Sequence, residues 1–329
     1  MGSKSSEILN TLNGKEVSPN IFLFTPKSSN PLTSNTLVFV DECKLIVDAG
    51  FQHGTYQLQE IKEFFDISSN DILFLSHHHL DHIIGSHLFP ESQKLIHQSE
   101  RDALLTKEAF LRFCFQFNVN QQELNYWKTH FKAFINYEGL SEWDDLVLTN
   151  IQSYTAEDTL DLGRIDLKII HLPGHSPGHC GLYEPTKKIL FITDVDLSKF
   201  GPWYGWRSSN LEDFRRSIKF LQSFIQENDI SLIIPSHTSP INDKDEAIAR
   251  LSRFYQIIDK RKEKILKFIG KNPGTTQRDI TNKSFIYQGK QSKPSFVFKT
   301  FEHFHIEHHL NELEEEDSIY FENNRVYPT

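Results

Sequence analysis

Four side chains that bind metal ions well fall within six residues, in His77-x-His79-x-Asp81-His82. The apolar stretch Asp71-Ile72-Leu73-Phe74-Leu75 precedes them and Ile83-Ile84-Gly85 follows, so they stand where a buried strand gives way to a turn. Residues two apart on an extended chain point the same way, which lets His77 and His79 share one ion. Past the strand end the turn re-aims the chain, and Asp81 and His82 face a second ion. Imidazole and carboxylate without thiolate suit zinc, iron or manganese. A histidine-rich surface turn is the bland alternative, and ligand spacing beside a strand end speaks against it.

A centre with two ions needs more ligands than this turn supplies. Three later segments offer them, each behind an apolar run that reads as a buried strand. His175 lies in the Pro/Gly turn Leu172-Pro173-Gly174-His175-Ser176-Pro177-Gly178-His179. Asp194 ends Ile189-Leu190-Phe191-Ile192-Thr193-Asp194, and His237 ends Leu232-Ile233-Ile234-Pro235-Ser236-His237. Strands ending in metal-binding groups converge at one edge of a sheet, and Gly and Pro supply the turns.

With the early segments Thr33-Ser34-Asn35-Thr36-Leu37-Val38-Phe39-Val40 and Leu45-Ile46-Val47-Asp48-Ala49-Gly50, these motifs resemble the metallo-β-lactamase superfamily over roughly residues 20 to 240. The resemblance implies that His77, His79 and His175 bind the first metal, and that Asp81, His82 and His237 bind the second. It makes Asp194 the bridging carboxylate and Asp48 an aspartate that orients ligands without binding metal. Thr193 stands where the family usually has Gly, and Ser236-His237-Thr238 replaces the common Gly-His-Gly. β-Lactamases of the main zinc class carry a cysteine where Asp194 stands, which argues against antibiotic hydrolysis. The implied fold is α+β, an αββα sandwich over residues 1–244. A small helical, winged-helix-like module follows over 245–329, as in the lactamase-like protein 2 group.

The elements around the motifs read as follows. A long amphipathic helix is predicted over Ala247 to Ile269, and a short one over Gln277 to Asn282 with Thr275 as its N-cap. A further helix is predicted over Phe296 to Glu315, then a hairpin with an Asn323-Asn324 turn. Between residues 106 and 145, Phe110, Phe113, Phe115, Phe117, Tyr126, Trp127, Phe131, Phe134 and Tyr137 read as packing more than as a lid. The loop after Asp194 carries Trp203, Tyr204 and Arg207, three candidates for a substrate wall, with Arg207 offering paired N–H donors to an anion. His303, His305, His308 and His309 read as packed or solvated. His78, His87, His171 and His179 read as packing or as supports for the ligands.

The formal charge of −9 argues against a broadly basic nucleic-acid surface. No apolar run reaches membrane-span length and no signal peptide opens the chain, and Cys43, Cys114 and Cys180 are isolated, as befits free thiols in the cytoplasm. The family resemblance, with this frame, implies a hydrolase with two divalent ions, zinc before iron or manganese, that holds a hydroxide between them. Asp81 would orient that nucleophile and pass a proton to the leaving group. The favoured substrate is a small thioester, ester or lactone. A single-strand endoribonuclease is the first alternative, and glutamates along the last helix weigh against RNA. A mononuclear-iron persulfide dioxygenase is the second. A homodimer is the expected assembly.

Overall fold

The predicted strands are apolar on both faces because each is covered on both sides. In the computed structural model, which describes residues 3–26, 33–50, 56–115, 143–146, 148–287 and 296–329, seven strands form one sheet in chain order. They are β1 Gly14–Ser18, β2 Ile21–Phe24, β3 Thr36–Val40, β4 Lys44–Val47, β5 Ile72–Phe74, β6 Gln93–His97 and β7 Ile151–Tyr154. β1 to β4 pair antiparallel, and β4 to β7 pair parallel. The second sheet contains β8 Thr159–Asp161, β9 Asp166–His171, β10 Cys180–Glu184, β11 Ile189–Thr193 and β12 Leu232–Pro235, in the order β12-β11-β10-β9-β8.

Alternation along single strands builds the layers. In β2, Ile21 and Leu23 enter a core shared with Leu167, Ile169 and Leu182 of the second sheet. Their neighbours Phe22 and Phe24 enter a different core with Leu9, Leu12, Leu58 and Ile61 from helices on the outer face. β11 repeats the device: Ile189 and Phe191 face the first sheet, while Leu190 and Ile192 pack with Phe214, Ile218 and Leu221 of the helix Leu211–Glu227. The chain is thus an αββα sandwich.

The register brings strand ends to one edge. Val47 of β4 stands opposite Phe74 of β5 and both strands end there, while β6, with Leu95 opposite Phe74, runs on to His97. In the second sheet, parallel β11 and β12 do the same, with Phe191 opposite Ile234. The loops past these carboxyl ends carry the metal-binding candidates, as is common for open sheets.

The helix predicted over Ala247 to Ile269 runs further, Lys244–Lys271, and is capped by the Asp243 carboxylate accepting from the Asp245 and Glu246 amides. It belongs to two cores. Ala247, Leu251, Phe254 and Ile258 pack on the second sheet, whereas Ile265 and Ile269 pack with Ile280, Ile306, Leu310, Ile319 and Val326 of the C-terminal module. The change of core falls inside this helix, near Arg261. The short helix is Gln277–Thr281, and its cap is Thr276, not Thr275, because Asp279 three residues on completes a capping box. Thr275 instead bridges to Val326. The last helix, Phe296–Glu315, leads to β13 Ile319–Glu322 and β14 Arg325–Pro328, joined through left-handed Asn323 and Asn324.

Of the aromatic insertion, Phe117, Tyr126, Trp127, Phe131, Phe134 and Tyr137 lie outside the described residues. Phe110 and Phe113 pack on His78, and Phe115 packs on Trp206 and Phe304. Among the described residues no helix is long and apolar enough to cross a membrane.

Candidate metal centre

The turn after β5 and the loops after β9, β11 and β12 bring all seven candidate ligands together. His77, His79 and His175 form one group, and Asp81, His82, Asp194 and His237 another; within each, the donor atoms lie within 4.8 Å of one another. Asp194 joins the groups: its Oδ2 is 3.2 Å from His175 Nε2 and 3.2 Å from His237 Nε2, and its Oδ1 is 3.1 Å from His82 Nε2.

Four of the imidazoles have Nδ1 occupied, which leaves Nε2 for a metal. His77 Nδ1 is 2.9 Å from Ser76 Oγ. His82 Nδ1 donates to Asp48 Oδ2 at 2.8 Å. His175 Nδ1 donates to the Trp203 carbonyl at 2.8 Å, and His237 Nδ1 to the Thr33 carbonyl at 3.0 Å. His79 Nε2 is buried with no hydrogen-bond partner, and His82 Nε2 and Asp194 Oδ1, 3.1 Å apart, are buried without an aligned hydrogen bond. Buried polar atoms are rarely left so. A nitrogen and oxygen donor set with such orphans fits divalent cations such as zinc.

The early segments hold the second group in place. Asp48, in the left-handed region at φ 61°, turns the chain out of β4 and accepts from both the amide and the hydroxyl of Ser76 at 2.8 Å. Ser34 donates to the Asp81 carbonyl, and Asn35 donates to the carbonyls of Pro235 and Thr238 on either side of His237. A Cβ on Gly50 would come within 1.8 Å of the Asp81 carbonyl oxygen, so only glycine fits this approach.

Thr193 explains one departure from the family pattern. Its φ is +46°, a conformation that strains a β-branched residue and suits glycine. Its hydroxyl lies against His179 Nε2 and the Cys180 carbonyl, interactions that glycine would lack. His179 also stands in metal-binding reach of His77 and Asp194, but both of its ring nitrogens are engaged: Nδ1 donates to the Leu172 carbonyl at 2.8 Å, and Nε2 accepts from the Asp194 amide at 3.0 Å.

Charge divides the centre. Burial, reinforced by neighbouring imidazoles, holds His77 and His79 well below the usual histidine range. Burial also pulls His82 and His237 down, but Asp194 with other carboxylates outweighs it, raising His82 well above that range and His237 to about 9. Asp81 is the most open of the seven, its side chain 20% exposed, so it can reach both the ligands and solvent.

Sequence reasoning missed Glu100. Its fully buried carboxylate accepts from the His78 amide at 2.7 Å and from the Gly178 amide at 2.8 Å, tying the turn of His77 and His79 to the loop of His175. Burial pushes this carboxyl up, but His78, Ser176 and Gly178 outweigh it and hold it at about 2. A Cβ on Gly178 would sit 2.8 Å from Glu100 Cγ. The available signal was an acidic residue just past a buried parallel strand.

The three substrate-wall candidates separate. Trp203 lies against the ligands, its ring 5.3 Å from His79 and 5.5 Å from His175. Tyr204 does not reach them: it is fully buried, with its hydroxyl 2.8 Å from His309 Nε2 and accepting from Arg261 at 3.1 Å. Arg207 donates through Nε to both carboxylate oxygens of Glu307 at 3.0 Å, so a carboxylate of the chain itself pairs with the guanidinium assigned to a substrate anion. His305 and His309 are buried between the last helix and this loop, and His308 donates to the Trp206 carbonyl.

Comparison with known proteins agrees with this geometry. Hydroxyacylglutathione hydrolase GloC of Haemophilus influenzae is 28% identical over 169 residues, 49% of this chain and 65% of that protein. Acyl-coenzyme A thioesterase MBLAC2 of Homo sapiens is 24% identical over 215 residues, 61% of this chain and 71% of that protein. Two other curated relatives are spanned over only 37% and 28% of their length. The crystal structure of a metallo-beta-lactamase family protein from Thermus thermophilus superposes with a TM-score of 0.70 at 18% identity, covering 95% of this chain and all of that one. The model of the metallo-beta-lactamase superfamily matches residues 30–237, and the chain belongs to that superfamily.

Proposed function

We propose that the chain is a hydrolase with two divalent metal ions, acting on a small thioester, ester or lactone. The observation that carries this reading is the meeting of two ligand groups at one carboxylate, Asp194, with buried donor atoms left unpaired around it. A thiolate at this position would favour a different metal chemistry. The ions, when bound, would supply a water acidic enough to ionise at neutral pH. The chain does the rest. Asp48, Ser76, Thr33 and Trp203 fix the imidazole tautomers, Trp203 shields one side of the centre from water, and Asp81 holds and passes a proton.

The activities for which GloC and MBLAC2 are named, on a hydroxyacylglutathione and on acyl-coenzyme A, support a thioester. The C-terminal module supports a small substrate over RNA, since Arg207 and the buried face of the last helix are committed to contacts within the chain. The persulfide dioxygenase reading would leave the second ligand group unused, and its assembly within 4.8 Å favours two ions. The test is thiol release from an acyl-glutathione and an acyl-coenzyme A by zinc- or manganese-loaded protein, beside His77→Ala. Turnover of one of them, lost in the variant, is expected. Cleavage of single-stranded RNA with neither thioester turned over would overturn the reading.

A further inference from the structure

Trp203 faces two ways. Its carbonyl accepts the His175 Nδ1–H at 2.8 Å and its ring abuts His79 and His175. Its indole N–H donates to the Tyr287 hydroxyl at 2.9 Å, and its ring meets Phe301 at 5.1 Å, both in the C-terminal module. The backbone on either side is gripped from the same direction. Arg261, buried in the long helix where the core changes, donates to the carbonyls of Phe200 and Pro202, each at 2.6 Å. Its guanidinium also stacks over the rings of Phe200 and Tyr204 at 4.9 and 5.4 Å. On the far side His308 donates to the Trp206 carbonyl at 2.7 Å.

We infer that the C-terminal module is a working part of the metal centre: through Tyr287, Arg261 and His308 it sets the loop that carries Trp203, and Trp203 sets His175 and walls His79. The module therefore tunes the ion held by His77, His79 and His175. It leaves the ion held by Asp81, His82 and His237 to the sandwich. Trp203, Tyr287 and Arg261 are positioning residues in this account.

A module that merely packed on the sandwich would need apolar contact only. Here polar groups of the module seize backbone carbonyls at 200, 202 and 206, which fixes the peptide planes around the carbonyl at 203. That carbonyl selects the His175 tautomer that leaves Nε2 for a metal. Partners of ligating histidines typically contribute 10–100-fold to metal affinity. The second group has no such dependence, because its braces, Asp48, Thr33 and Ser34, come from the first sheet and its loops.

This inference rests on the two-ion reading, and the test separates the two. Full-length protein is stripped of metal and titrated with zinc against a chromophoric chelator, resolving two binding steps. Tyr287→Phe deletes the hydroxyl and keeps the ring; Arg261→Lys keeps the charge but loses the fork that spans two carbonyls. Ile306→Val, in the module's own core, weakens the module without touching the loop. One step is expected to weaken about tenfold in Tyr287→Phe and more in Arg261→Lys, with the other step within about twofold. Ile306→Val should move neither step, even where its metal-free melting temperature falls as far. Equal weakening of both steps, no weakening of either, or the same weakening in Ile306→Val would overturn the inference while leaving the two-ion reading intact. A wild-type chain that binds no zinc would overturn both.

Discussion

His82 and His237 lean on the sandwich, whereas His175 leans on a loop that the C-terminal module holds. The second group takes its braces from the Asp48 side chain and from the carbonyl of Thr33, both carried by the first sheet and its loops. The first takes them from the Ser76 hydroxyl and from the Trp203 carbonyl, whose loop is pinned by Arg261, Tyr287 and His308. Charge follows the same line. Carboxylates raise His82 and His237 above the usual histidine range, whereas burial holds His77 and His79 below it. One half of the centre is thus a local product of the sandwich. The other exists only when the whole chain is folded.

The strongest way to break this contrast is at the residue both halves share. Asp194→Ala should abolish it, leaving His82 and His237 without their common partner and the two groups without a bridge. A loss on the order of 10³-fold in kcat is expected, equivalent to several kcal/mol of transition-state stabilisation. Elemental analysis of desalted protein should find fewer than two ions per chain. Full metal content with ordinary turnover would show that the halves are independent sites. Asp48→Asn sharpens the contrast instead. The carboxylate acceptor of His82 Nδ1 becomes an amide, so the ion of the second group should weaken about 10–100-fold and the first by much less, because Asp48 reaches His77 only through the Ser76 hydroxyl. This is the mirror image of Tyr287→Phe in the same zinc titration. Identical patterns from the two variants would erase the distinction between a local and a whole-chain half.

The same contrast explains what was legible in the sequence. The strand ends bearing His77, His79, Asp81, His82, His175, Asp194 and His237 could be read because strand parity and Gly/Pro turns are local properties. Glu100 could not, since its two amide partners lie 22 and 78 residues away. Trp203 was read for its ring, yet its carbonyl orients His175, and a backbone carbonyl has no signature in residue type. Tyr204 and Arg207 have the right chemistry for a substrate wall. Only the fold shows that they face Arg261, His309 and Glu307. The cap at Thr276 rather than Thr275 is a smaller case, decided by the reach of Asp279 to a residue three earlier.

The finest test asks whether holding the module on is the same as aiming the Trp203 carbonyl. Glu312 of the last helix fastens the module to Arg215 of the helix Leu211–Glu227, with Lys262 3.7 Å away, and meets the Trp203 loop only through His309, whose Nε2 lies 2.8 Å from the Tyr204 hydroxyl. Burial pushes its carboxyl up, but His309, Arg215 and Lys262 outweigh that and hold it at about 2, against an ordinary 4.5. A carboxyl depressed in the folded state adds stability that is fully present above about pH 4.5 and is lost as the pH falls toward 2. The gap corresponds to about 2–3 kcal/mol, discounted for the 19% exposure of the side chain. Urea unfolding of metal-free Glu312→Gln at pH 7 should show that deficit, and the variant should lose less stability than wild type between pH 5 and 3. In the zinc titration, both binding steps of Glu312→Gln should stay within about twofold of wild type, because the bonds to the carbonyls at 200, 202, 203 and 206 are all kept. If the first ion weakens in step with stability, the module acts by its mere presence, and the hydrogen bonds around Trp203 aim nothing.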